Sequence, residues 1–175
     1  MQFVTGAMQS FAPEEQLVIT RDKSILGQVL RKYKNPSFNL QSPLNIQFQS
    51  SGVFEIGVDA GSPTKGFFHH LMEELVRGSF SGIKLFEGEA GHLVPLFDYD
   101  LVSSCFFVFV GKMIVHSFIH ECKGLAGISP AVISYIVSGR RDTVLEHLVI
   151  QDIPDPCLRQ ILNEVSHSLS QCEHK

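Results

Sequence analysis

His116 and His120 stand four residues apart in an apolar run, and Cys122 follows two residues later. Residues four apart on a helix share a face, so the two imidazoles have the spacing of a metal clamp, with the thiol as a third donor. That third donor is badly placed. A cysteine two positions past a histidine projects from another face of the same helix, and no second cluster completes a tetrahedron, so the three read as packed side chains and not as a zinc centre. His69 and His70 are adjacent, which splays them apart on a helix. Glu73 and Glu74, one turn on, could form an acid–base couple with either, because proton transfer requires groups within hydrogen-bond reach. A solvated helix face accounts for the same residues more simply.

The glycine-bearing segments 57–61 (Gly57, Asp59, Gly61) and 87–91 (Glu87, Gly88, Glu89, Gly91) match neither G-x-x-x-x-G-K-[ST] nor G-x-G-x-x-G. Their carboxylates would also repel a phosphate. No serine occupies a G-x-S-x-G elbow. Cys105, Cys122, Cys157 and Cys172 form no C-x-x-C pair and carry no local signature of an activated thiol. Cys157, just after Pro156 at a helix start, is the one position where a helix end could lower a thiol pKa. The residues themselves therefore nominate no catalytic, cofactor-binding or metal-binding set.

The elements that must carry these side chains belong to a chain of 175 residues, 44% hydrophobic and 18% charged, which excludes a disordered or fibrous class and suits a folded body without staples. A net charge of −4 supplies no positive field for a phosphate backbone. The two basic clusters, at 31–34 and at Arg140 and Arg141, fit a helix end and a helix-to-helix turn. No nucleic-acid partner is expected. Residues 105–119 are interrupted by Lys112 and His116 and fall short of the roughly 20 residues that span a bilayer, so no membrane partner is expected either. Residues 1–7 lack the basic and apolar regions of a secretory signal. With four unpaired-looking cysteines, an intracellular, reduced protein is the expectation, cytoplasmic or nuclear.

Along the chain, residues 1–16 read as a flexible leader, 17–169 as one folded unit and 170–175 as a polar tail. A β-branched run at 17–20 feeds a helix with Ile25, Leu26, Val29, Leu30 and Tyr33 on one face and Asp22 as its N-cap. Alternation of Leu44, Ile46 and Phe48 has the period of a half-buried strand, with a second strand at 53–56. Ser62 and Pro63 open a helix that Gly78 closes, with Phe67, Phe68, Leu71, Met72, Leu75 and Val76 as its apolar stripe. Gly66 inside it implies close packing or a late start. Residues 83–97 read as a hairpin around a glycine loop. The run 106–118 is apolar on every face and predicts a helix buried all round. Ser129 and Pro130 open a helix that Gly139 ends, with Val132, Ile133, Ile136 and Val137 inward. A helical turn follows at 143–148. Asp155 and Pro156 then start a helix striped by Leu158, Ile161, Leu162, Val165 and Leu169. The predicted class is α+β, mainly helical, with about five helices and short strands or hairpins.

The text F-Q-S-S-G-V-F-E-I-G-V-D-A-G-S-P-T-K-G-F-F at 48–68 resembles the block F-x-G-E-x-G-x-D-x-G-G-x-x-R-E-F-F near the start of HECT ubiquitin-ligase domains, through Glu55, Gly57, Asp59, Gly61, Phe67 and Phe68. The likeness continues in order through Leu85 and Phe86 to 106–120, which resembles the family helix F-x-x-x-G-[KR]-x-[IL]-x-x-[AS] with Gly111, Lys112 and Ser117 in place. It extends to 155–169. Within the family, the likeness is greatest to the divergent vertebrate cell-cycle-phase-specific ligases.

The resemblance implies the large subdomain of a HECT N-terminal lobe, mostly helical with small sheets. In that family a C-terminal lobe holds the cysteine that accepts ubiquitin as a thioester, and the conjugating enzyme docks on a smaller subdomain. This sequence is expected to lack both and not to transfer ubiquitin by itself. The family's Arg and Glu are replaced by Lys65 and Gly66, and lysine cannot reproduce arginine's bidentate fork. The T-C-[FMH]-x-x-L-x-[LI]-P context of the acceptor cysteine surrounds none of the four cysteines. Protein partners from the ubiquitin-conjugation machinery, or the remaining HECT parts, are what the resemblance implies. The competing reading is a catalytically inactive interaction module. An exposed apolar face and self-association are expected of a body separated from its other lobe.

Overall fold

The computed structural model describes residues 12–54, 63–78 and 82–172, with side chains to Leu169. It is α+β and mainly helical. Glu55, Gly57, Asp59 and Gly61 of the family-like block, the Ser62 cap, the strand end at Ile56, residues 1–11 of the leader and the tail residues 173–175 lie outside the described residues. Contacts divide the chain into two compact units, Met1–Lys84 with Phe97–Ala126, and Leu85–Leu96 with Gly127–Lys175.

In the first unit, strand β1 (Glu15–Thr20) pairs in parallel with β2 (Leu44–Ser50) through the crossover helix α1 (Ile25–Lys34). The register sets Leu17 beside Ile46 and Ile19 beside Phe48, and all four are buried. Alternation therefore puts both strands' apolar residues on one face. Ser51 and Gly52, both at positive φ, turn the chain into β3 (Val53–Phe54), antiparallel to β2, as a tight hairpin demands.

The N-cap of α1 is Ser24, not Asp22: its Oγ accepts from the Gly27 N–H at 3.2 Å. An N-cap side chain must reach the second or third helical amide, and Asp22 lies two residues too early. It accepts instead from the Ser51 N–H at 3.4 Å.

Helix α2 (Pro63–Arg77) buries Phe67, Phe68, Leu71, Met72 and Leu75 and ends at Gly78, whose φ of +68° suits glycine. Gly66 has neither expected cause. The helix already begins at Pro63, and a Cβ at Gly66 would meet nothing within 4 Å.

A short helix that the periodicity misses, α3 (Tyr99–Ser103), is capped by Asp98, which accepts from the Leu101 N–H at 3.0 Å. It leads into α4 (Phe106–Ile119). This helix is buried on one face only: Phe106, Val110, Met113, His116 and Ser117 face inward, while Val108, Val115 and Phe118 are exposed. Composition alone does not distinguish a core helix from one whose second apolar face meets solvent. Helices α1, α2 and α4 pack on one another, and α2 lies against β2.

The second unit holds the expected hairpin, β4 (Phe86–Glu87) against β5 (Val94–Pro95), and a parallel bridge between Leu93 and Ile128. Helix α5 (Pro130–Ser138) is capped by Ser129, whose Oγ accepts from the Ala131 N–H at 3.1 Å, and is closed by Gly139 at φ +66°. Helix α6 (Arg141–Leu145), a 3-10 turn (Ile150–Asp152) and α7 (Pro156–Cys172) follow. The inward face expected of α5 is corrected. Ile133, Ile136 and Val137 are exposed, Val132 is half-buried, and only Ala131 enters the core. The stripe of α7 is exposed as well.

Candidate functional site

Helix α4 carries His116 into the first unit's interior, where it is fully buried. The Tyr33 hydroxyl, from the inward face of α1, lies 2.7 Å from His116 Nδ1. Burial lowers the imidazole from 6.5 to about 3, helped by His120, and pushes the phenol up, so a hydrogen bond between neutral groups holds the two helices together. Phe38 and Phe68 meet the His116 ring edge-on at 5.6 and 5.2 Å, and His120 meets it at 4.8 Å.

The two histidines thus do share a helix face. The Nε2 atoms of His116 and His120 have no hydrogen-bond partner among the described residues. Cys122 turns away: its thiol donates to the His120 carbonyl at 3.3 Å, and burial pushes its pKa up. Among the described residues no three His, Cys, Asp or Glu side chains form a group able to hold a metal ion. Two imidazoles without a thiolate leave a structural-type zinc tetrahedron half-built.

The His69, His70, Glu73 and Glu74 quartet separates into two roles. Glu73 lies 3.8 Å from His69, 3.6 Å from His70 and 3.3 Å from Arg77, on an open helix face and beyond ordinary hydrogen-bond length to either imidazole. Glu74 points into the unit instead. Its carboxylate accepts from the Ser24 hydroxyl at 2.8 Å and from the Ile25 and Leu26 N–H groups at 2.9 Å each. A carboxylate on the first amides of α1 answers the positive end of that helix.

The remaining candidates take structural places. Arg31, Lys32 and Lys34 lie in the last turn of α1, and Lys32 pairs with Glu15 at 2.9 Å. Arg140 precedes α6 at the turn from α5 and lies 3.4 Å from Asp142. Glu89, in the glycine loop, pairs with Arg159 at 2.8 Å. Cys105 is exposed at the start of α4, in left-handed backbone at φ +54°. Cys157 is exposed, and its N–H donates to Asp155, which caps α7. The side chain of Cys172 lies outside those described.

One constellation gives no sequence signal. In the second unit Asp152 is buried, with Oδ1 2.8 Å from His92 Nδ1 and Oδ2 accepting from the Val149 N–H at 3.0 Å. Burial alone would raise this carboxyl, but hydrogen bonds from Val149, His92 and Ser129, with the charge of His92, bring it below its ordinary value. The order differs from that of a nucleophile triad. The acid, not the histidine, stands in the middle, and Ser129 is fully buried while capping α5. The node ties the loop before β5, the N-cap of α5 and the 3-10 turn together. His92 and Asp152 are 60 residues apart, so no local spacing announces them.

Above this node lies an apolar hollow of about 500 Å³, lined chiefly by Val94, Ala131, Val132, Tyr135, Leu145 and Leu148, with Arg141 on its wall. Among the described residues no helix is long and apolar enough to cross a membrane. No protein-family profile matches the chain, and no curated protein matches it.

Proposed function

We propose that the chain is the N-terminal-lobe scaffold of a HECT-type ubiquitin ligase or of a protein derived from one, and that the thioester cysteine is supplied by another part. One observation supports this above the rest. Among the described residues that carry the resemblance, Phe67, Phe68, Leu85, Phe86 and Ser117 are buried in the body, while Gly111 and Lys112 are half-buried. Matches at buried packing positions such as these speak for an architecture and not for a reaction centre. Of the described thiols, Cys122 agrees with a scaffold role. Cys122 is committed to a carbonyl and pushed up by burial, whereas an attacking sulfur needs its thiolate.

The test is incubation of the full chain with activating enzyme, a panel of conjugating enzymes and ubiquitin, with and without an added cysteine-bearing lobe. The expected result is no thiol-reducible ubiquitin adduct on this chain, together with measurable binding to the added lobe. An adduct on any of Cys105, Cys122, Cys157 or Cys172 overturns the scaffold role. Absence of binding to any component of the machinery favours the second reading, an inactive HECT-like interaction module, which the exposed Ile133, Ile136 and Val137 of α5 also support.

A further inference from the structure

Helix α7 is amphipathic, yet its apolar stripe is as exposed as its polar side. Leu158, Ile161, Leu162, Val165 and Leu169 are 45, 56, 38, 50 and 63% exposed. Among its described side chains only Arg159 is half-buried, held by Glu89. A helix that keeps one apolar stripe over its length normally lays it against another surface.

The same unit offers a surface of matching chemistry in the hollow of α5 and α6, where Tyr135, Leu145 and Leu148 remain 49, 73 and 55% exposed. An amphipathic helix in an apolar groove, anchored by residues three, four and seven apart, is a recurrent mode of recognition.

We infer that the occupant of this hollow is the α7 stripe of a second copy, so that the chain forms a two-fold dimer in which each α7 lies in its partner's groove. Two observations select a second copy over an unrelated protein. First, one chain carries both halves of the contact, which a two-fold axis uses twice and closes without leaving either half exposed. Second, covering the stripe and the hollow's exposed rim completely would remove at most roughly 800 Å² of residue surface per chain, on the scale that a standard interface takes from each partner. Charge is compatible: Glu164, on the polar flank of α7 where it accepts from Gln160, and Arg141, on the hollow's wall, have the opposite signs of a rim pair. The contact does not depend on the ligase reading and stands or falls separately from it.

Sedimentation velocity of the full chain over a dilution series tests the inference. The expected result is a reversible dimer. Val165→Glu on the stripe and Leu145→Glu in the hollow should each weaken it about tenfold or more. Both positions are exposed, so circular dichroism of the variants should match the parent. Arg141→Glu should weaken the dimer, and combining it with Glu164→Arg should restore it. A chain that stays monomeric at every concentration overturns the inference and leaves the hollow to a different partner. A dimer indifferent to both glutamate substitutions overturns it equally.

Discussion

His116 illustrates how a single side chain couples the fold to pH. Its folded pKa of about 3 lies below the ordinary 6.5, so the unfolded chain takes up the proton first as the solution is acidified. Stability is therefore complete above about pH 6.5 and declines as the pH falls towards 3, by about 2 kcal/mol between pH 6.5 and 5. Asp152 acts lower on the scale. Its folded pKa is depressed, so its contribution is present above the ordinary carboxylate range and is lost as the pH falls through that range. Urea midpoints taken from pH 7 to pH 5 should fall for the parent chain and much less for His116→Gln; equal slopes would show that the imidazole is not the group responsible. The four-residue spacing of His116 and His120 is visible in the sequence, and with it their shared face. Tyr33 lies 83 positions from His116, and Ser129 and His92 are distant from Asp152. Partners that only the tertiary fold brings together leave no local pattern.

Within the elements, periodicity and caps were legible wherever one local rule decided the outcome. Pro63, Gly78, Ser129, Pro130 and Gly139 bound α2 and α5 where their types require it. What the sequence misplaces is facing, elements of small scale and, at α1, a cap set two residues early at Asp22 instead of Ser24. Nothing in α5 or α7 distinguishes a stripe that meets its own core from one that meets solvent, and α3 is five residues long, too short to show a period. The glycines of α2 allow a clean contrast. A Cβ at Gly66 meets open space within the helix, so Gly66→Ala should stabilise the first unit by about 0.5–1 kcal/mol, chiefly by removing freedom from the unfolded chain. A Cβ at Gly78 would stand 2.9 Å from the Ile83 carbonyl oxygen at a φ of +68°, so Gly78→Ala should cost about 1–2 kcal/mol or more. Thermal midpoints read both, and a loss at Gly66 comparable to that at Gly78 would mean that side-chain room does not govern the first.

Taken whole, the chain distributes its core unequally. The first unit buries Tyr33, Phe67, Phe68, Leu71, Leu75 and Met113 almost completely, whereas among the described residues the buried apolar ones of the second are Leu85, Phe86 and Ala131. At about 25 cal/mol for each Å² of apolar surface removed from water, burial supports the first unit far more strongly. The second depends on polar ties, the buried Asp152 node, worth about 1–3 kcal/mol, and the half-exposed Glu89–Arg159 pair, worth about 1 kcal/mol or less. Opening free energies should follow this division, because segments with few buried contacts exchange through local opening. Amide hydrogen exchange, measured at a concentration too low for association, should give slow exchange in α1, α2 and α4 and fast exchange in α5, α6 and α7. Raising the protein concentration should then slow exchange in α7 and along the hollow-lining residues of α5 and α6, while the amides of α1 and α2 remain as they were. Uniform protection at both concentrations would instead show that the second unit is held by its own interior, and the exposed stripe of α7 would lose its claim to a partner.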